Sequence, residues 1–237
     1  RGLDRCGDRR QCHQRGVRPR HDRPRAWAFG LLGIREYLRR FGGDRFATQV
    51  RETLVARLID IYDRTTTPEW PWFEEILSYD TARLPQALIT SGREGGNPRA
   101  LELGLQTLGW LVTIQTAPQA HFRAIGSNGF YRKGEERARF DQQPLEAYAT
   151  VAACLEAFRV TQDTMWMHEA RSAFEWFLGR NDLGQELYDP RTGGCCDGLQ
   201  EDRINRNQGA ESTLAFLLSL AEMNLLESSI TTFRQAR

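Results

Sequence analysis

Apolar positions along the chain fall into helical stripes of two kinds. Phe46, Val50, Leu54, Leu58 and Ile61 recur every three or four residues, with Arg51, Glu52, Arg57 and Asp60 between them. That spacing puts the apolar set on one helix face and the charges on the other, predicting an outer, half-exposed helix. The run from Leu145 to Phe158 is instead apolar almost all round, with alanine at 147, 149, 152, 153 and 157. Such a helix is expected to be buried on most sides and packed close to its neighbours, and Leu214 to Leu226 reads the same way. Alternation of the two kinds implies an inner and an outer row of helices. No segment sustains a period of two, so almost no β-sheet is expected.

The stripes group into hairpins. One runs from Ala26 to Asp63, turning at Phe41-Gly-Gly-Asp44, and a second from Ala82 to Thr116, turning between Ser91 and Asn97. A third runs from Gln142 to Arg180, turning between Thr161 and Thr164, and Gly209 opens a last helix. The starts are 56, 60 and 67 residues apart, longer than tetratricopeptide or ankyrin periods because long loops intervene. The expected fold is therefore all-α, an (α/α) toroid of helical hairpins over residues 26–237. The 237 residues, 40% hydrophobic, can bury a substantial core. A closed ring of six hairpins needs about twelve helices, whereas roughly seven or eight fit here. The toroid is thus expected to be incomplete, about half to two thirds of a six-hairpin barrel.

Charge changes the picture only at the N-terminus. Residues 1–25 hold nine arginines, two cysteines and no helical stripe, the composition of a disordered arm, and one that need not be native to the fold. The arm lacks interleaved aromatics, and the net charge of the whole chain is only +1, so no nucleic-acid partner is expected. Five cysteines, two of them adjacent at Cys195 and Cys196, do not suggest a secreted disulfide framework. Cys6, Cys12 and His13 do not match a zinc spacing, and neither a metal nor a cofactor is expected. There is no signal peptide and no apolar run long enough for a bilayer, which makes a cytoplasmic protein without a membrane partner the default.

The chemistry lies in three long connections, each leading into a helix of the inner kind. The first runs from Thr67 to Arg83, the second from Phe122 to Glu146, and the third from Asn181 to Glu211. Loops of this length are uncommon in compact domains unless they are functional or disordered, and their aromatic content argues against disorder. Each carries an acid to the start of a helix: Asp80, then Asp141 and Glu146, then Glu211. Each also carries planar hydrogen-bonding groups, among them Arg83, Arg123, Asn128, Gln142, Arg203, Asn205, Asn207 and Gln208, and the third loop also contains Asp197. Trp72, Tyr79 and Tyr131 supply aromatic faces. Sugars call for this combination, because their rings offer apolar faces to aromatics and their hydroxyls need carboxylates, amides and guanidinium groups. A carbohydrate is therefore the expected ligand.

Acids at helix starts also serve as caps and favour the helix dipole, and loop aromatics also anchor cores, so both readings stay open residue by residue. Nucleophilic triads lack a histidine with a partner, since neither His121 nor His168 has an evident one in sequence. The glycines from 92 to 96 follow no strand and do not form a phosphate loop. Paired carboxylates remain, as in glycoside chemistry, where one acid protonates the leaving oxygen and another acts as base or nucleophile. Asp80, Asp141, Glu146 and Glu211 are the catalytic candidates.

Four segments carry a family resemblance: Trp72-Phe-Glu-Glu-Ile-Leu-Ser-Tyr-Asp-Thr-Ala-Arg-Leu-Pro-Gln-Ala-Leu-Ile89, Ile125-Gly-Ser-Asn-Gly-Phe-Tyr131, Phe140-Asp-Gln-Gln-Pro-Leu-Glu-Ala-Tyr148 and Asn205-Arg-Asn-Gln-Gly-Ala-Glu-Ser-Thr-Leu-Ala215. They resemble a bacterial family of six-hairpin (α/α) toroid domains found with glycosyltransferases. The resemblance implies a carbohydrate-active protein whose ring cavity is lined by these loops, the C-terminal part of a glycosyltransferase-type protein. It assigns no catalytic residue. A glycoside hydrolase or sugar epimerase using paired carboxylates is the alternative, and a non-catalytic helical scaffold is a third.

Overall fold

The computed structural model describes the chain from residue 23 to residue 235, with side-chain environments up to Leu226. Seven helices carry it: α1 (Pro24–Arg40), α2 (Arg45–Thr65), α3 (Arg83–Gly95), α4 (Pro98–Ile114), α5 (Pro144–Thr161), α6 (Thr164–Glu175) and α7 (Ala210–Gln235). Most of the arginine-rich stretch, with Cys6, Cys12 and His13, lies outside the described residues. Its last residues belong to the fold, however. Proline at N1 begins α1 at Pro24, two residues before the expected start, because its missing N–H is not needed there. Arg25 then pairs with Glu74 at 3.0 Å and hydrogen-bonds Ser78, tying α1 to the first long loop.

The helices form two rows. α1, α3, α5 and α7 pack each against the next as an inner row, while α2, α4 and α6 lie outside and pair with α1, α3 and α5 as hairpins. This is the arrangement of an (α/α) toroid. The second hairpin turns more tightly than its glycines suggest, since α3 continues to Gly95 and only Gly96 and Asn97 remain for the turn. Gly96 takes the left-handed conformation that ends a helix, φ 64°, and the Asn97 side chain caps α4 by accepting the N–H of Ala100 at 3.0 Å. Gly92 and Gly104 let the two helices touch. A Cβ on Gly104 would sit 2.8 Å from the backbone nitrogen of Ile89.

Burial follows the two-row pattern with two corrections. α5 is buried nearly all round, as its alanines require. On α2, the buried residues are Ala47, Val55, Leu58, Ile61 and Tyr62, whereas Phe46 is 76% exposed. The buried stripe runs one residue later than the expected one in its first turns, through Ala47 and Val55 in place of Phe46 and Leu54, where α2 has only just left its turn. On α7, Leu214, Leu217, Leu218 and Leu225 are exposed although the sequence reads as buried all round, because among the described residues α7 has an inner neighbour, α5, on one side only.

Strands are confined to the loops. β1 (Ile76–Leu77) pairs with β2 (Tyr131–Arg132), β3 (Tyr188–Asp189) with β4 (Gly194–Cys195), and β5 (Gly198–Leu199) with β6 (Ile204–Asn205), all antiparallel. Leu199 also exchanges backbone hydrogen bonds with Gln142, 2.9 Å each way. The first pair and the Leu199–Gln142 bridge join different loops. They hold the three long connections together at the end of the fold where α3, α5 and α7 begin.

Candidate functional site

The N-terminal ends of α3, α5 and α7 bring acids from three distant parts of the sequence into one cluster. Glu146, in the first turn of α5, is 4% exposed, and its two carboxylate oxygens accept the backbone N–H groups of Asp80 and Thr81. Asp80 is 3% exposed and sits at φ 50°. That left-handed conformation is sparsely populated for a residue with a side chain, though less costly for aspartate than for most. Two consecutive N–H groups point at one carboxylate on another helix through this turn. The Asp80 carboxylate itself pairs with Arg83 Nε at 3.1 Å.

Burial dominates the electrostatics of this cluster. It pushes the Glu146 carboxyl up to about 7, with the neighbouring Asp80 charge adding to the shift and the two N–H bonds opposing it. Burial also raises Asp80, against the pull of Arg83 and with some repulsion from Glu211. Glu211, in the first turn of α7, is exposed and accepts the hydroxyl of Tyr79 at 3.0 Å. Desolvation together with this bond pushes the Tyr79 phenol up to about 12, so it stays a donor. Arg83 completes the group: it donates to Gln86 at 2.8 Å and its guanidinium lies 4.4 Å from the centre of the Tyr148 ring. The cluster thus has a buried layer of Asp80, Glu146 and Arg83 beneath an accessible rim of Tyr79 and Glu211.

Other predicted residues lie elsewhere. Asp141 is half-buried, and no hydrogen bond or ion pair joins its carboxylate to the other three acids; its carbonyl accepts the Ser127 N–H at 2.9 Å. Asn128 is exposed in the same turn, donating its N–H to Phe140. Asp197 organises the approach to α7, accepting the Gly209 N–H at 2.7 Å and the Asn207 side-chain amide. Asn205 accepts the Asn207 N–H, and Gln208 accepts the Thr192 hydroxyl at 2.8 Å. Arg203 pairs with Asp202 and, with Asn205, lines an open groove of about 600 Å³.

Four predicted ligand contacts are instead engaged within the fold. Trp72 is 0% exposed and packs edge-on against Phe73, so no ring face is left for a sugar. Gln142 is also 0% exposed. Its amide donates to Asp182 and the Arg139 carbonyl and accepts the Trp176 indole N–H at 2.9 Å, which uses its groups internally. Arg123, 9% exposed, is bidentate to Asp182. Tyr131 is half-buried, with its ring 5.0 Å from Trp70 in an edge contact.

Two further residues gain a role only in the fold. Tyr148 is the one aromatic in the alanine-rich start of α5, a signal that was available. His121 does have a partner, Asp182 at 2.8 Å, but 61 residues separate them and nothing in the sequence links them. Among the described residues, no group of three or more His, Cys, Asp or Glu side chains could hold a metal ion, and no helix is long and apolar enough to cross a membrane.

The arrangement of helices is that of known toroids. The GH76A α-1,6-mannanase from Salegentibacter sp. HEL1_6 superposes with a TM-score of 0.60 at 12% identity, over 84% of this chain and 54% of that one. An inactive variant of the same enzyme, with two consecutive aspartates changed to asparagine and α-1,6-mannotriose bound, gives 0.61 with the same identity and coverage. These are (α/α)6 toroids, so the chain has the toroid fold and spans about half the length of the structures it matches. No family model and no curated protein matches the sequence.

Proposed function

We propose that this chain is part of a carbohydrate-active toroid whose glycan lies across Tyr79, Asp80 and Glu211, with glycoside hydrolysis favoured over glycosyl transfer. One observation carries the reading: the starts of three inner helices place Asp80, Glu146 and Glu211 together in a fold shared with an α-1,6-mannanase. No two aspartates are adjacent in this sequence, and the acids of the cluster come from the starts of three different helices.

The division of labour follows from environment. Asp80 and Glu146 hold protons more readily than ordinary carboxylates because they are buried; two backbone N–H groups hold the Glu146 carboxylate, whereas Asp80 is held by the single side chain of Arg83 and lies directly beneath the Tyr79 and Glu211 rim. Asp80 is the proton donor to a leaving glycosidic oxygen, and Glu211, exposed and oriented by the Tyr79 hydroxyl, is the base or nucleophile. Glu146 holds the Asp80 turn in place. Tyr79, 43% exposed, offers its ring to a sugar face.

The test uses the full-length protein containing this chain, incubated with α-1,6-linked mannooligosaccharides and a wider glycan panel, with and without nucleotide sugars. The expected result is binding and release of reducing ends without a nucleotide-sugar donor, reduced at least about a hundredfold in Asp80→Asn and Glu211→Gln. Consumption of a nucleotide sugar instead would select the transferase reading suggested by the four sequence motifs. Absence of any glycan binding, with both variants folded and indistinguishable from wild type, would overturn the carbohydrate reading.

A further inference from the structure

The third long loop folds into two antiparallel hairpins, β3–β4 and β5–β6, and two grooves open beside them. The larger, of about 600 Å³, is lined by Gln185, Gln200, Arg203, Ile204, Asn205 and Arg206. The second, of about 380 Å³, has Tyr188 in its wall and shares Gln185, Ile204 and Arg206 with the first, so the two adjoin. Both volumes fall in the range of ligand sites. Arg203 and Asn205, expected from the sequence to contact a ligand, take no part in the acid cluster but line this space.

The lining has unspent hydrogen-bonding capacity. The Gln200 N–H donates to the Arg203 carbonyl at 2.9 Å, closing the turn between β5 and β6 and bringing both residues to the larger groove. Among the described residues, the side chains of Gln185, Gln200 and Arg206 make no hydrogen bond or ion pair. Asn205 uses only its amide oxygen, on the Asn207 N–H, which leaves its NH₂ free. Ile204 adds an apolar surface common to both grooves, and Tyr188 adds a ring held in place by stacking on Phe216, 4.3 Å between centroids. The charges cancel. Asp202 pairs with Arg203 at 3.2 Å and Asp189 with Arg191 at 3.1 Å, leaving Glu186 and Arg206 with opposite signs. No excess charge selects an ion. Free amides beside an aliphatic and an aromatic surface suit a neutral molecule rich in hydroxyls.

We propose that these adjoining grooves are a second saccharide-binding site, which holds a neutral glycan chain on the loop leading into Glu211 through Gln185, Gln200, Asn205 and Arg206. The proposal rests on the carbohydrate reading above. It adds a site that binds sugar without the acids of the cluster.

The experiment is titration calorimetry with α-1,6-mannotriose, maltotriose and trigalacturonate, at low and high salt. It uses the full-length protein containing this chain and its Tyr79→Ala/Glu211→Ala double variant, which strips the accessible rim of the acid cluster. At least one neutral trisaccharide is expected to bind the double variant, with an affinity that salt leaves unchanged because no net charge is involved. In that background Gln185→Ala and Arg206→Ala should each weaken binding by about three- to tenfold, the worth of a hydrogen bond. Glu102→Gln on α4, with 72% of its side chain exposed, is the distant control and should leave binding unchanged. Gln185 and Arg206 are exposed and make no internal bond, so their replacement is expected to keep the melting temperature. Trisaccharide binding by the wild type that vanishes in the double variant would overturn the second site and spare the carbohydrate reading. Unaltered affinity in folded Gln185→Ala and Arg206→Ala, or tighter and salt-sensitive binding of trigalacturonate, would overturn it as well. Failure of every trisaccharide to bind either protein would remove both readings.

Discussion

Glu146 on α5 accepts the backbone N–H of Asp80 across 66 residues of sequence, and with the Thr81 N–H it fixes the turn that opens α3. The relationship makes Glu146 a brace for Asp80, the proton donor proposed above, and couples the geometry of the cluster to the protonation of a buried carboxyl.

Stability should therefore depend on pH through Glu146. Its folded pKa, about 7, lies above the ordinary value of 4.5, so the folded state binds the proton more tightly than the unfolded state. The resulting stability is fully present below about pH 4.5 and is lost as pH rises to about 7, by up to roughly 3 kcal/mol. Denaturant unfolding at a series of pH values measures this slope. Glu146→Gln should flatten that part of the profile and cost about 1–3 kcal/mol at acid pH, because an amide NH₂ then meets one of the two N–H donors. A variant that keeps the wild-type slope would remove Glu146 as its source.

Tyr79 should titrate far above an ordinary phenol, at about 12. Spectrophotometric titration of the folded protein should show a component there that Tyr79→Phe abolishes. The same variant leaves Glu211 without its hydroxyl donor, and a several-fold loss of glycan affinity is expected with little change in melting temperature, since the pair is exposed. Unaltered affinity would detach the rim from ligand binding.

Gln142→Leu separates a structural amide from a ligand contact. The substitution strands the Trp176 indole N–H and removes one donor from Asp182, so a loss of about 1–3 kcal/mol is expected. Glycan affinity of the folded fraction should be unchanged. Weaker binding without destabilisation would restore Gln142 to the ligand site.

Gly104→Ala should be among the most disruptive small substitutions. Its Cβ would lie 2.8 Å from Ile89 N and 3.0 Å from the Pro85 carbonyl, forcing α4 away from α3. A loss of about 1–3 kcal/mol or more is expected in chemical denaturation. Gly33→Ala on α1, where nothing lies within 4 Å of the added carbon, is the contrasting control and should be neutral or slightly stabilising.

What the sequence determined by itself was periodic and local. Stripes every three or four residues located the hairpins, and alanine enrichment in α5 announced a helix buried nearly all round. Acids at the starts of α3, α5 and α7 were visible because capping and chemistry both draw them there. Tertiary structure alone decided what each did. Glu211 and Tyr79 are 132 residues apart, and their contact exists because α7 packs on α5 and α5 on α3. Trp72 and Gln142 read like ligand groups, yet packing buried one among aromatics and hydrogen bonds consumed the other. Helical period depends on neighbours three or four positions away and is written in the sequence. Exposure, hydrogen-bond occupancy and proton affinity depend on which distant segments arrive beside a residue, and only the packed fold specifies that.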